Sequence, residues 1–257
     1  MKLEEGWNNL FWQIIEKKEK RCTTGWLGIV YDQESIALCA MHTPSNFLLL
    51  SHGPVEAVDC IAHIALSQKW NLAGVSGPKY LVDRYLKLVK YSHCNDSSHS
   101  CRNFELFQTT KLKKSPKFKN YKLGPVRTID WAKARVWAQY FAMETNLPTN
   151  ISAVTHLAKQ MYLAKNLFML TDSHNHPCAM AGFGRSTERY RVINMVYVPK
   201  ERRAVGIGRE LITRMTIYAR ELGFADCLLF SEWAGTRNLY DSMGFRALGK
   251  FVEYDLV

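Results

Sequence analysis

Apolar positions along the chain follow two alternating periods, and the alternation predicts its elements. Residues 3–18 repeat at helical spacing, with Leu3, Trp7, Leu10, Phe11, Ile14 and Ile15 on one face. Trp26 to Ala40 and Phe47 to Leu50 read as short strands around polar turns. Val55 to Trp70 is an apolar helix begun near Ser51 and Pro54, and the passage LAGVSGPKYLVDRYLKLV turns on glycines into a helix from Pro78 to about Tyr91. Phe104 to Thr109 is one more strand. The stretch KLKKSPKFKNYKLGP (111–125) follows neither period and carries two prolines, so it reads as a linker. The chain thus divides into a mixed α/β domain at 1–110, a basic linker at 111–123 and a second domain at 124–257.

In the second domain the helical period returns over Ile129–Thr145, with Trp131, Ala134, Trp137, Ala138 and Phe141 in register, and again over Ile151–Ala164. Strands follow at Leu167–Thr171, Ala179–Gly184 and Arg191–Val198. Their short polar connections predict an antiparallel meander. A helix from Val205 to Leu222 ends at Gly223, with Ile207, Leu211, Met215, Ile217, Tyr218 and Leu222 as its apolar face and Glu210 and Arg214 one turn apart. A strand at Asp226–Phe230, a helix around Thr236–Ser242 and a strand at Phe251–Leu256 complete the pattern.

Composition narrows the class. Apolar residues make up 47% and charged residues 22%, values of a globular chain. No run approaches the roughly 18 apolar residues a membrane span needs, and the start MKLEEGWNNL is not a secretory signal. A cytoplasmic protein without a membrane partner is expected, as a monomer or homodimer. The seven cysteines form no CxxC pair and read as free thiols. Neither His93, Cys94, His99 and Cys101 nor His174, His176 and Cys178 fits a standard zinc spacing, so no metal is expected. The net charge of +11 favours a polyanionic partner, either a phosphate-rich cofactor or nucleic acid. Aromatics interleave the lysine run 111–122, but a solvated linker accounts for it more simply, and nucleic acid is not the favoured partner.

Chemistry concentrates in VINMVYVPKERRAVGIGRELITRM. An apolar strand ends at Pro199, and Arg203-Ala204-Val205-Gly206-Ile207-Gly208 leads straight into a helix. Glycines let the backbone turn and approach a ligand closely. The free N–H groups of the first helical turn then converge, and the helix dipole adds partial positive charge, which suits a pyrophosphate. Arg202, Arg203 and Arg209 are expected to add formal charge at the rim. The run is neither a Rossmann fingerprint nor a Walker loop, because the third glycine and the Lys-Ser/Thr pair are missing. Downstream, LLFSEWAGTRNLYDSMGF (228–245) holds Tyr240 and Gly244-Phe245 on a strand and short helix.

This ordered combination, VYVPKERRAVGIG and then Tyr240 with Gly244-Phe245, resembles the GNAT superfamily of N-acetyltransferases, and PVRTIDWAKARVWAQYFAMET resembles that group's opening strand and helix. The resemblance covers about the C-terminal 130 residues. It implies a mixed, largely antiparallel twisted sheet flanked by helices, and a transfer of the acetyl group of acetyl-CoA directly to an amine acceptor in a ternary complex, the acceptor being a small molecule or a protein amine. Val196, Tyr197 and Val198 would offer backbone groups to the pantetheine and thioester. Arg203, Ala204, Val205, Gly206, Ile207 and Gly208, with Arg209, would cradle the pyrophosphate, and Tyr240 would protonate the departing thiolate. The sequence departs from the family's pattern at three places. Trp233 stands where a cofactor-contacting asparagine is usual and is taken as a cofactor contact, Thr236 replaces an alanine, and Ala204 replaces a glycine. As general base the resemblance points to Glu144, with Glu232 or a water chain as alternatives. Cys178 and Cys227 lack a patterned histidine partner and are poor nucleophile candidates. The N-terminal half is expected to be a degenerate domain of the same kind, its LAGVSGPKYLVDRYLKLV passage faintly like the cofactor turn. Competing readings are an acyltransferase using another acyl-CoA, as in glycine N-acyltransferases, and a non-catalytic CoA- or nucleic-acid-binding module.

Overall fold

The computed structural model describes residues 5–12, 26–43, 46–90, 101–113, 120–145, 151–184, 186–232 and 239–256. In chain order its main elements are β1 (Leu27–Asp32), β2 (Ser35–His42), β3 (Phe47–Leu50), α1 (Ala57–Ser67), β4 (Gly74–Pro78), α2 (Lys79–Leu88), β5 (Cys101–Thr109), β6 (Lys122–Pro125), α3 (Trp131–Glu144), α4 (Ile151–Leu163), β7 (Leu167–Thr171), β8 (Pro177–Gly184), β9 (Tyr190–Tyr197), α5 (Ile207–Glu221), β10 (Asp226–Glu232), α6 (Leu239–Met243) and β11 (Phe245–Asp255). The strands and helices read from periodicity are found where they fall among the described residues, with the last strand longer than expected at its N-terminal end. Of the helix expected at 3–18, residues 9–12 are helical and 3–4 and 13–18 lie outside the described residues, as do 236–238 of the helix expected around Thr236–Ser242.

The backbone forms two compact units, and they interleave along the sequence. One comprises Met1–Phe107, Ser231–Gly235 and Ala247–Val257, and the other Gln108–Phe230 and Thr236–Arg246. The contiguous division at 1–110 and 124–257 therefore differs from the structure, because the chain's last strand folds with its first hundred residues.

In the first unit the strands are ordered β1-β2-β3-β4-β11-β5. β1 to β3 are antiparallel, and α1 carries the chain across so that β4 lies parallel to β3. β11 pairs antiparallel with β4, from Phe251↔Pro78 to Asp255↔Gly74. That pairing sends Val252 and Tyr254 into a core with Leu48, Val58, Ile61, Val75, Leu81 and Tyr85. Each large apolar side chain so buried contributes about 1.5–3 kcal/mol, which explains why the C-terminal strand stays with this unit.

The second unit orders its strands β10-β9-β8-β7-β6. β6 to β9 form the expected antiparallel meander, and β10 returns parallel to β9 after the α5 crossover. α5 buries Ile207, Leu211, Ile212, Met215 and Ala219. Ile217 and Leu222, expected on the buried face, are 37% and 49% exposed, so the stripe lies closer to Ile212 and Ala219 than the apolar count suggested. Glu210 is buried and bonded one turn on to Arg214 Nε at 2.5 Å. Both units thus share one connectivity: strand, helix, parallel strand, helix.

Of the stretch taken as a linker, 114–119 lies outside the described residues, whereas 110–113 is anchored. The Thr110 and Lys111 amides donate to the Gly244 carbonyl (3.1 and 3.2 Å), and Lys113 N–H to that of Met243 (2.9 Å). Gly244 adopts φ +90°, and a Cβ there would lie 1.9 Å from the Lys111 carbonyl oxygen. The glycine of the Gly244-Phe245 pair is therefore a requirement of backbone approach.

Candidate active site

The β9–β10 ladder ends at Leu229↔Ile193, although β9 runs on to Tyr197 and β10 to Glu232. Beyond that pair the ladder between the two strands does not continue. On its other side β9 bulges against β8: Met180 pairs with Tyr197 but Gly182 with Asn194, so Met195 and Val196 together oppose Ala181. Met195 takes the left-handed conformation (φ 54°), and its N–H donates to Asn194 Oδ1 at 2.7 Å. A bulge of this kind bends the strand and re-aims the residues after it. It opens the run Val196, Tyr197 and Val198, of which Tyr197 is buried and the two valines half-buried.

After Pro199 a 3-10 turn over Lys200–Arg202 leads to Ala204 (φ 63°) and Gly206 (φ +93°). Such left-handed residues curl successive N–H groups into a concave nest. Gly206 is the N-cap of α5 and no side chain caps it. Glu210 makes the first helical bond, to the Gly206 carbonyl at 3.1 Å. The amides of Gly206, Ile207, Gly208 and Arg209 therefore have no intrahelical acceptor, and the helix dipole adds positive potential there. Beside them a Cβ on Gly208 would lie 3.6 Å from Val198 Cγ2 and 3.9 Å from Leu239 Cδ2. The end of β9, the first turn of α5 and the start of α6 thus converge on one point.

Tyr240 is the second residue of α6. It is half-buried, with its ring edge-on to Phe245 at 5.8 Å. Burial raises its phenol above the ordinary tyrosine pKa, so the hydroxyl is a proton donor at neutral pH.

The three arginines expected at the rim have separate partners. Arg202 donates to Cys178 Sγ at 3.1 Å, and Arg209 donates to Ser242 Oγ and to the Ser242 carbonyl (3.3 Å), tying α6 to α5. Arg203 lies across the strand end: its Nε donates to the Val198 carbonyl (2.8 Å), its Nη2 to Glu144 Oε2 (2.5 Å), and its guanidinium sits 5.6 Å from the centre of the Tyr197 ring. Glu144 is the last residue of α3, at the negative end of that helix, where a carboxylate is disfavoured. Arg203 and the more distant Lys200 Nζ (4.0 Å) offset that cost. Sequence reasoning found Glu144 and Arg203 separately and missed that they bond to each other, since 59 residues separate them.

Glu232 belongs to the first unit, where desolvation raises its carboxyl pKa and Arg102 opposes the shift. Trp233, Thr236, His93, Cys94 and His99 lie outside the described residues. At the β7–β8 turn the donor atoms of Asp172, His174 and His176 lie within 4.8 Å of one another. Asp172 Oδ1 already accepts the backbone N–H groups of both histidines (3.0 and 2.9 Å), and that carboxylate was absent from the sequence reading.

Cys227 is fully buried, and burial pushes its thiol up to about 12; burial also raises Cys178, against the opposing charge of Arg202. Neither supplies a thiolate at neutral pH. Alkylation with iodoacetamide, read by peptide mass spectrometry, is expected to modify exposed Cys60 promptly, and Cys178 and Cys227 only after denaturation. Modification of Cys227 at the Cys60 rate in the folded chain would reopen a covalent-cysteine route.

The model of the Acetyltransferase (GNAT) family matches residues 130–245, a span holding the bulged strand, the open helix terminus and Tyr240. No curated protein matches the sequence. Similar solved structures include a GNAT acetyltransferase from Colwellia psychrerythraea, at 16% identity over 89% of this chain and 84% of that one, with a TM-score of 0.56. A GCN5-related N-acetyltransferase from Kribbella flavida is 12% identical, covers 97% of this chain and 95% of its own, and scores 0.58. One from Sphaerobacter thermophilus is also 12% identical, over 95% and 84%, at 0.58. At such identities the likeness is one of fold, a mixed α/β, largely antiparallel sheet flanked by helices, and it runs through both units. No helix among the described residues is long and apolar enough to cross a membrane. Residues 130–245 of this chain match the acetyltransferase domain of the GNAT family, whose general chemistry is acyl transfer from an acyl-coenzyme A.

Proposed function

We propose that this domain binds acetyl-CoA at the end of β9 and the first turn of α5 and transfers its acetyl group directly to an amine. The observation that carries the reading is a bulged strand end beside a helix N-terminus whose first four amides have no intrahelical acceptor. Pantetheine is a chain of amides and needs backbone partners, which Val196, Tyr197 and Val198 supply beyond the bulge. The diphosphate is met by the N–H groups from Ala204 to Arg209, the Arg203 amide being bonded to the Lys200 carbonyl (3.3 Å). The amine attacks the thioester carbonyl, and the thiolate leaves with a proton from the Tyr240 hydroxyl. Positioning and fixed donors around the developing oxyanion supply most of the acceleration.

The first unit has the same connectivity, and we read it as a degenerate domain of the same kind that takes no cofactor. Its counterpart of the cradle is the β3–α1 turn, not the glycine passage before α2. There the amides of Ala57, Val58 and Asp59 are bonded to the carbonyls of Pro54, Val55 and Glu56, Pro54 has no N–H, and acidic Glu56 stands at the N-cap. Asn8 Oδ1 accepts the His52 N–H (2.9 Å), and the Tyr80 hydroxyl donates to the Gly53 carbonyl (2.7 Å). Tyr80 is the second residue of α2, as Tyr240 is of α6. Isothermal titration with acetyl-CoA is expected to give one equivalent per chain, and a panel of amines should then release free thiol. Two equivalents would overturn the account of the first unit, and none would overturn the whole reading.

A further inference from the structure

Glu144 and the proposed diphosphate site draw on the same cation. Arg203 extends from the nest itself, yet its guanidinium is spent on Glu144 Oε2 and the Val198 carbonyl, which is one of the groups offered to pantetheine. An arginine fork binds a carboxylate or a phosphate with similar geometry, so the two anions compete for it. We infer that Arg203 is an exchange residue, passing from Glu144 and the Val198 carbonyl to the cofactor diphosphate as the cofactor seats. The inference rests on the cofactor reading above.

Three features carry it. The Arg203–Glu144 pair is accessible, with side chains 42% and 27% exposed, so its net strength is small enough for a dianion to outcompete it. Departure of Arg203 leaves Glu144 at the negative end of α3 with Lys200, at 4.0 Å, as its one remaining ion-pair partner among the described residues, and so unmasks a carboxylate. It also returns the Val198 carbonyl at the strand end. Seating the cofactor thus prepares a proton acceptor for the incoming amine: the ammonium N–H passes its proton to a Glu144 oxygen, leaving the nitrogen lone pair to attack. Arg203 is in this account a positioning residue for Glu144, and binding is ordered, cofactor first.

Titration of CoA into wild type, Glu144→Gln, Arg203→Ala and the double variant tests this. Removing the competing carboxylate is expected to tighten CoA about 2- to 5-fold in Glu144→Gln, and the gain should vanish in the Arg203→Ala background. A merely structural role for Glu144 predicts weaker binding instead. Equal or weaker binding in Glu144→Gln, with wild type binding CoA normally, overturns the exchange and leaves the cofactor reading intact. A wild-type chain that binds no CoA overturns both.

Discussion

Gly208→Asp is expected to abolish measurable CoA binding while leaving the fold as stable as before, or more so. The two effects separate because the substitution acts on two different links. Gly208 lies in the first turn of α5, where an acidic side chain interacts favourably with the dipole by about 0.3–1 kcal/mol and loss of a helical glycine adds about 0.5–1 kcal/mol. An added Cβ meets Val198 and Leu239 at ordinary contact distances of 3.6 and 3.9 Å, so no overlap offsets the gain. A shift in Tm of a few degrees upward should follow. The diphosphate meets the reverse situation, since a fixed carboxylate about 4 Å away repels it by about 4 kcal/mol at an effective dielectric of about 20. Allowing for screening by salt, affinity is expected to fall on the order of 100-fold or more. The isosteric Gly208→Asn, uncharged, should lose much less. Titration calorimetry with CoA and a thermal melt on each variant check both halves. An aspartate variant that keeps wild-type affinity would remove the diphosphate from this helix end.

How much of this was legible in the sequence follows from the range over which each feature is encoded. The α5 terminus was readable because its determinants are local: Gly206 and Gly208 flank the first helical turn, and Gly223 closes the last. The meander was readable for the same reason, as short polar turns force neighbouring strands together. The bulge at Met195 was not, because nothing local marks a methionine that will adopt φ 54° and the cause lies in its register with β8. Nor was the return of β11 to the first unit, which depends on Val252 and Tyr254 finding a core built from residues more than 160 positions earlier. The arginines illustrate the limit at the site. Their basic character was visible, but Cys178 for Arg202, Glu144 for Arg203 and Ser242 for Arg209 are partners that only tertiary structure supplies. Composition could say that the cradle is cationic, not which cation stays free to move.

Replacement of Tyr240 by phenylalanine is expected to cost turnover and not cofactor affinity. The ring packs edge-on to Phe245, a contact that phenylalanine retains, so the variant should fold and bind CoA within about 2-fold of wild type. Loss of the only hydroxyl assigned to the leaving thiolate should lower kcat on the order of 100-fold or more, the usual contribution of a positioned general acid. The pH profile gives a second, independent readout. Desolvation holds the folded-state pKa above the ordinary tyrosine value, so the hydroxyl stays protonated through neutral pH and the plateau of activity extends upward. Activity should decline only as pH climbs through that raised value, and the decline should be missing from the residual rate of the phenylalanine variant. Stability obeys the same sign. The folded chain holds this proton more tightly than the unfolded one, so the contribution is complete below the unfolded pKa of about 10 and is lost as pH rises through the folded value. Single-turnover thiol release measured against pH, with an acceptor found in the amine panel, checks the rate and the alkaline limb together. Unchanged turnover in the phenylalanine variant would mean that the thiolate leaves without help from this residue, and the proton would have to come from solvent.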